Sequence, residues 1–401
     1  MHVLIVGGGI AGVTAARTLR TLAPTARITI LEAEPVLYYL RPGLIDLLAG
    51  RKGLADITPF PRGWYDRHGI VYRTGTPVVA LDPARHRVTL TSGDEVSYDR
   101  LLLAAGAQAL RPPIPGTDKP GVFTLRSAAD AERIRTQAEG ATAAAVIGGG
   151  WLGLEAARAL RDRGLAVTVL ERGPWLLPRQ LDPDGAQVLA AILAQRGITL
   201  RIGVDCTGIY GDTTAAGVRL ASGEEIPAEL VLLAAGVRPR AALAAAAGLQ
   251  VKGGIVVDDR LRTTAPDVYA AGDAAEWRGR SYGIIPAARE QAEVAARNMV
   301  EPGTATYTGT IPTNWLKVAG VDLVCLGDTQ PQGGPGRELR RADPEHARYL
   351  KFVVDREGRL VGAILLGAPD LAAQVEAWIQ DRAHPEGEID RLLARPNGSP
   401  S

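Results

Sequence analysis

The chain carries only two cysteines in 401 residues, Cys206 and Cys325, far apart and in no paired motif. That excludes a C-x-x-C redox centre, a cysteine zinc site and a local disulfide scaffold. Histidine is scarce as well: His2, His68, His86, His346 and His384 are dispersed along the chain, and as solvated or packing residues they need no chemical role. Long apolar runs are missing, since no segment reaches the roughly 18 uninterrupted apolar residues of a membrane span. Nor does one sign of charge dominate. With 45 Lys and Arg against 44 Asp and Glu the formal net charge is +1, which gives no reason to expect nucleic acid or a membrane surface as partner. The first strand begins at His2 with no basic, apolar, small-residue series before it, so the expectation is a soluble, cytosolic protein. Its length allows two or three domains, and its 46% hydrophobic content is ordinary for a globular chain.

What the sequence does have is glycine in two matching places. "HVLIVGGGIAGVTAARTL" (His2 to Leu19) and "AAAVIGGGWLGLEAARAL" (Ala143 to Leu160) each read as an apolar strand, a Gly-rich turn and a helix of core-facing period. In the first copy Gly7 makes the tight turn, Gly9 lets the backbone approach a pyrophosphate, and Gly12 lets the helix pack closely on its strand. Gly148, Gly150 and Gly153 repeat the arrangement. Each helix start offers unpaired N–H groups and a partial positive charge to a diphosphate. A second strand then ends in an acid, Glu32 in "ARITILEAE" and Glu171 in "LAVTVLERG". Both lie on the order of 20 residues past the turn, where a carboxylate accepts hydrogen bonds from an adenosine ribose. Two such units predict two dinucleotide sites.

The units look duplicated. "RLLLAAGAQALRPPIPG" (Arg100 to Gly116) closes the first section, and "LVLLAAGVRPR" (Leu230 to Arg240) closes the second with the same "LLAAG". From Ile311 onward, alternating strands and a helix at "DLAAQVEAWIQDR" read as an α+β domain, interrupted by a Gly/Pro-rich stretch, "TQPQGGPGR" (Thr329 to Arg337). The expected architecture is α/β, with two Rossmann-like dinucleotide-binding domains and a C-terminal α+β domain.

These residues resemble the FAD- and NAD(P)-dependent pyridine nucleotide oxidoreductases of glutathione-reductase-like fold, and most of all their rubredoxin reductase, ferredoxin reductase and nitrite reductase flavoprotein branch. The resemblance covers nearly the whole chain. It is carried by both Gly-rich turns, both "AAG" strands, "YYLRPGL" (Tyr38 to Leu44), "TTAPDVYAAGD" (Thr263 to Asp273) and "TNWLKVAGVDLVCLGD" (Thr313 to Asp328). It implies an FAD-binding domain in 1–113 and 240–310, an NAD(P)H-binding domain in 114–239 and a C-terminal domain in 311–401. Asp273 matches the family's flavin ribityl ligand, Arg41 would reach the FAD phosphates, and the helix start at Pro286 and Ala287 would face the flavin pyrimidine edge. Ala105, Gly106, Gly272 and Trp315 fall on the flavin side and Gly236 on the nicotinamide side. Glu155 matches a glutamate that approaches nicotinamide and flavin, and Trp151 an aromatic ring that covers the flavin.

The departures are as informative. Relatives that use a cysteine relay carry it near "YYLRPGLIDLLAG", and this stretch has none. Ile45 and Asp46 stand where many ferredoxin reductases have Ser-Lys, and both "ATG" motifs read "AAG", at Ala105 and Ala235. The implied activity passes electrons from NADH, in preference to NADPH, through FAD to a small protein such as a rubredoxin or ferredoxin, by a monomer or homodimer. The alternatives are an NADH oxidase or diaphorase reducing oxygen or quinone, the flavoprotein component of a nitrite reductase, and a non-catalytic NADH-binding sensor. A basic cluster, "GRELRRADPEHARYLK" (Gly336 to Lys351), is expected to form a loop on which an acidic acceptor docks.

Overall fold

The computed structural model describes residues 1–318, 321–331, 334 and 336–394. Within the stretch Thr329 to Arg337, residues 332, 333 and 335 lie outside the described residues. The chain forms two compact units. One comprises Met1–Gly43, Lys52–Gln108 and Val237–Thr310, and the other Leu44–Arg51, Ala109–Gly236 and Ile311–Ser401.

The first unit is built on a five-stranded parallel sheet in the order Val268–Ala270, Arg100–Leu103, His2–Val6, Arg27–Leu31, Ile70–Arg73. Its central strand is apolar without alternation, and Val3, Leu4 and Ile5 are all fully buried. Such a run suits a parallel sheet covered on both faces. The helices Ile10–Leu22 and Ile285–Val300 pack against each other. They approach closely because the first buries Ala11, Gly12, Ala15 and Ala16, and the second Ala287, Ala288, Ala292, Ala295 and Ala296.

The second unit repeats this sheet in the order Ile198–Ile202, Ala166–Glu171, Ala143–Ile147, Leu230–Leu233, Val122–Thr124, again all parallel. In both sheets the strand before the Gly-rich turn lies between the strand that ends in the acid and the "AAG" strand. The C-terminal part of this unit is a five-stranded antiparallel sheet, Thr313–Val318, Val321–Gly327, Leu360–Leu366, Arg348–Val354, Arg337–Asp343. The helices Ala372–Gln380 and Glu386–Ala394 share its core of Val324, Leu326, Phe352, Leu365 and Val375. The chain is therefore α/β with two Rossmann-like sheets and a C-terminal α+β part.

The expected basic docking loop is a hairpin instead. Arg337–Asp343 is an edge strand paired along its length with Arg348–Val354. Only Leu339 of its residues is buried, so its composition reads as a loop, although charge is what an exposed sheet edge favours. Its arginines are also engaged: Arg340 pairs with Asp184 at 2.9 Å, Arg337 with Glu386 at 3.7 Å, and Arg341 donates to the Leu393 carbonyl at 2.6 Å. Reversing all three would disturb the sheet along with any docking.

Beneath that hairpin lies a buried ionic cluster. Lys351, 3% exposed, reaches Asp182 at 3.2 Å and Glu338 at 2.8 Å. The Tyr349 hydroxyl donates to Asp182 at 2.6 Å, and Asp182 caps the helix Pro183–Gln195 by accepting from the Gly185 N–H. Burial pushes the Asp182 carboxyl up, but the Tyr349 and Gly185 hydrogen bonds and the Lys351 charge outweigh it and hold the group below its ordinary 3.8. A lowered folded pKa stabilises above the ordinary value, and that stabilisation is lost as the pH falls through the folded one. Tyr349→Phe is therefore expected to cost about 1.5–3 kcal/mol at pH 7. The difference should shrink below pH 3.8 as Asp182 takes up its proton, which denaturant titrations at the two pH values would show.

Candidate dinucleotide sites

Each glycine of the first turn has its own surroundings. Gly7 has φ +104°, and a Cβ there would overlap the Ala104 carbonyl, while a Cβ on Gly12 would overlap the Gly7 carbonyl. The first is needed for the turn and the second for helix on strand. Gly9 differs: nothing lies within 4 Å of where its Cβ would be, and its φ of −71° is open to any residue. The second unit repeats all three environments. Gly148 has φ +118° and abuts the Ala234 carbonyl, Gly153 abuts the Gly148 carbonyl, and Gly150 has nothing within 4 Å. Internal packing accounts for the outer glycines of each turn but not for the middle ones. A cradle whose missing side chain leaves free space beside a helix N-terminus fits a diphosphate.

The acids close on these turns. Glu32 accepts from the Gly8 N–H at 2.6 Å and the Glu34 N–H at 2.9 Å. Glu171 accepts from the Gly149 N–H at 2.6 Å and the Gly173 N–H at 2.5 Å. Each carboxylate is thus oriented before any ribose arrives, a duty that the spacing in sequence did not show. Sequence reasoning also missed Tyr72, whose hydroxyl donates to the Gly8 carbonyl at 3.0 Å and fills the space of a Gly8 side chain. Its signal was only an ordinary strand tyrosine.

In the first unit the remaining expected residues gather round that turn. The Gly7 turn touches Ala104 and Ala105 of the "AAG" strand, where Gly106 has φ +70°. Gly272 and Asp273 open a short 3-10 helix, Gly272–Ala274, against Ala11. Pro286 stands in the first turn of Ile285–Val300, where a missing N–H costs nothing, and Ala287 behind it is buried. Arg41 pairs with Glu34 at 3.3 Å and lies over the Tyr39 ring at 5.7 Å. Its guanidinium is held by a carboxylate and an aromatic face that the sequence reading had not paired with it.

In the second unit the Gly148 turn borders Ala234 and Ala235, followed by Gly236 at φ +104° with open space beside it. Trp151 begins the helix Trp151–Asp162, which also bears Glu155, and its buried indole N–H has no hydrogen-bond partner among the described residues. The strand Thr313–Val318 packs against this helix and presents Trp315, 49% exposed.

Both cysteines are poor nucleophiles. Burial and the Asp205 charge push the Cys206 thiol up to about 11, and burial pushes the Cys325 thiol higher still. The thiolate is the reactive form. Cys206→Ser with Cys325→Ala is therefore expected to keep at least about half of the NADH-dependent ferricyanide reduction, since burial disfavours the thiolate of both residues. A steady-state assay of the flavin-loaded variant checks this.

The family model described as pyridine nucleotide-disulphide oxidoreductase matches residues 1–292. The chain belongs to that family. A second model, the rubredoxin NAD+ reductase C-terminal domain, matches residues 312–383. Membership implies use of a flavin and NAD(H). The chain is 36% identical over 384 residues to a nitrite reductase [NAD(P)H] of Bacillus subtilis, a match of 95% of this chain and 47% of that protein. It thus spans about half the length of that relative. It is 31% identical over 377 residues to an NADH-rubredoxin oxidoreductase of Clostridium acetobutylicum, covering 94% of each. Among solved structures, a ferredoxin reductase from Rhodopseudomonas palustris superposes with a TM-score of 0.87 at 28% identity, over 98% of this chain and 100% of the other. Among the described residues no helix is long and apolar enough to cross a membrane.

Proposed function

We propose that the chain is an FAD-dependent NADH oxidoreductase that passes electrons from NADH to a small electron-transfer protein, a rubredoxin or a ferredoxin. The observation that carries this reading is the pair of Gly-rich turns whose middle glycines, Gly9 and Gly150, face open space. A diphosphate in contact with the backbone requires such a position, and one protein with two of them handles two dinucleotides.

The FAD-binding domain, 1–113 with 240–310, would hold FAD on the first turn. Glu32 would take the adenosine ribose, Arg41 the diphosphate and Asp273 a ribityl hydroxyl, with Ala105, Gly106, Gly272 and the amides around Pro286 and Ala287 lining the flavin. The domain 114–239 would hold NADH on Gly148, Gly150 and Gly153, with Glu171 on its ribose and Gly236 beside it. Trp151 and Glu155 would border the nicotinamide, and Trp315 of the domain 311–401 would border the flavin. When bound, FAD accepts two electrons together and releases them singly, as an iron–sulfur acceptor requires. The protein acceptor is supported by the NADH-rubredoxin oxidoreductase likeness over 94% of each chain and by the C-terminal match at residues 312–383. The raised cysteine pKa values speak against a thiol relay.

The test is NADH-dependent reduction of a rubredoxin and a ferredoxin by the flavin-loaded protein, followed at the acceptor's own visible band. Turnover with either, well above the rate of oxygen consumption, supports the reading. Turnover with oxygen or quinone alone would assign an oxidase or diaphorase. The likeness to the longer nitrite reductase favours a second reading, in which this chain is a flavoprotein component feeding a partner with haem and iron–sulfur groups. Nitrite-dependent NADH oxidation that appears only when such a partner is added would favour it.

A further inference from the structure

The N–H of Gly272, the residue before Asp273, is buried, and the residue has φ +74°. It donates to the Gln291 side-chain carbonyl at 2.9 Å. Gln291 is 2% exposed and sits one turn beyond Ala287 and Ala288 on the helix Ile285–Val300. Because the Gly272 N–H can only donate, it fixes which way the amide points. A separate set of hydrogen bonds ties the same helix to the segment after it. Tyr307 lies 2.6 Å from the Thr310 hydroxyl, and Thr310 donates to the Glu290 carboxylate at 2.5 Å. The single Thr310 proton is thereby committed, so Tyr307 donates to Thr310.

The Gly272 turn is thus held to the helix by the Gln291 side-chain carbonyl, and the helix to the segment after it by Glu290, Thr310 and Tyr307. The backbone of the Gly272 turn is the part that needs support. The left-handed backbone, close against Ala11, favours glycine, which has no side chain of its own to hold the turn, and a buried N–H left without a partner would open the turn toward water.

We propose that Gln291, buried on the helix Ile285–Val300, is a positioning residue for flavin binding, fixing the Gly272 turn so that Asp273 is preset toward the ribityl chain. The proposal rests on the FAD reading above. Gln291 touches no cofactor in it and acts only through the turn.

The experiment titrates the flavin-free protein with FAD, reading affinity from the quenching of flavin fluorescence and folding from the thermal midpoint of the flavin-free protein. Gln291→Leu removes the acceptor and is expected to weaken FAD binding about 10-fold or more, beyond what any fall in the thermal midpoint accounts for. Gln291→Glu keeps an acceptor for Gly272 and should return the affinity to within about 3-fold of the wild type. Should Gln291→Leu not fold, Gln291→Asn, one methylene short, takes its place. Wild-type affinity in the Leu or Asn variant, or no rescue by Glu, overturns the positioning role and leaves the FAD reading intact. Failure of the wild type itself to bind FAD overturns both.

Discussion

Gly9→Val should leave a folded protein that no longer retains FAD. Nothing lies within 4 Å of the added Cβ and the backbone there is extended, so the flavin-free protein should melt within about 2 °C of the wild type. The branched side chain occupies the space proposed for the diphosphate, and affinity for FAD should fall by about 100-fold or more, equivalent to about 2.7 kcal/mol. Gly12→Val behaves in the opposite way. Its Cβ meets the Gly7 carbonyl, so overpacking of about 1–3 kcal/mol or more should appear first as lost stability. Gly150→Val should raise the KM for NADH while FAD stays bound. Fluorescence titration and thermal melts of the four proteins separate these outcomes. Unchanged FAD affinity in Gly9→Val would remove the first turn from the cofactor site.

A preference for NADH over NADPH is the second large effect expected, with Glu171 proposed as its source. A carboxylate about 4 Å from a 2′-phosphate repels it by about 4 kcal/mol per unit charge at an effective dielectric near 20. Glu171 is half-buried and Arg172 beside it is exposed, so solvent screening brings the effect to about 1–2 kcal/mol, or about 5- to 30-fold in kcat/KM. Because Glu171 also accepts from the Gly149 and Gly173 amides, two substitutions should differ. Glu171→Gln removes the charge and keeps an acceptor for one of the two amides, so the discrimination should fall below about 3-fold with a smaller loss of NADH activity than in Glu171→Ala. Glu171→Ala frees the turn and should raise KM for both nucleotides. Equal or better kcat/KM with NADPH in the wild type would show that this strand end does not set the preference.

The cysteine and Tyr349 experiments bear on parts that the sequence treats unequally. From the residues alone came the two strand, turn, helix and acid units, the α/β class, the repeated "AAG" strands and the lack of a cysteine pair. These were legible because each depends on local rules: apolar strands buried on both faces have no alternation, and a turn at positive φ selects glycine. The candidate positions Asp273, Glu155, Trp151 and Trp315 came from resemblance, since a single acid or indole carries no periodic signal.

Tertiary structure decided what depends on partners distant in sequence. It made the charged segment from Arg337 to Asp343 an edge strand by pairing it with Arg348–Val354, and it placed Lys351 between Asp182 and Glu338. It distinguished the middle glycines from the outer ones, because only the packed neighbours show which missing side chain leaves room. It also gave Glu32 and Glu171 their turn amides and Gln291 its place beneath Gly272. Hydrogen bonds of this kind join residues about 20 apart or more, and their geometry exists only after the sheet and helices have packed, so no local pattern in the sequence encodes them.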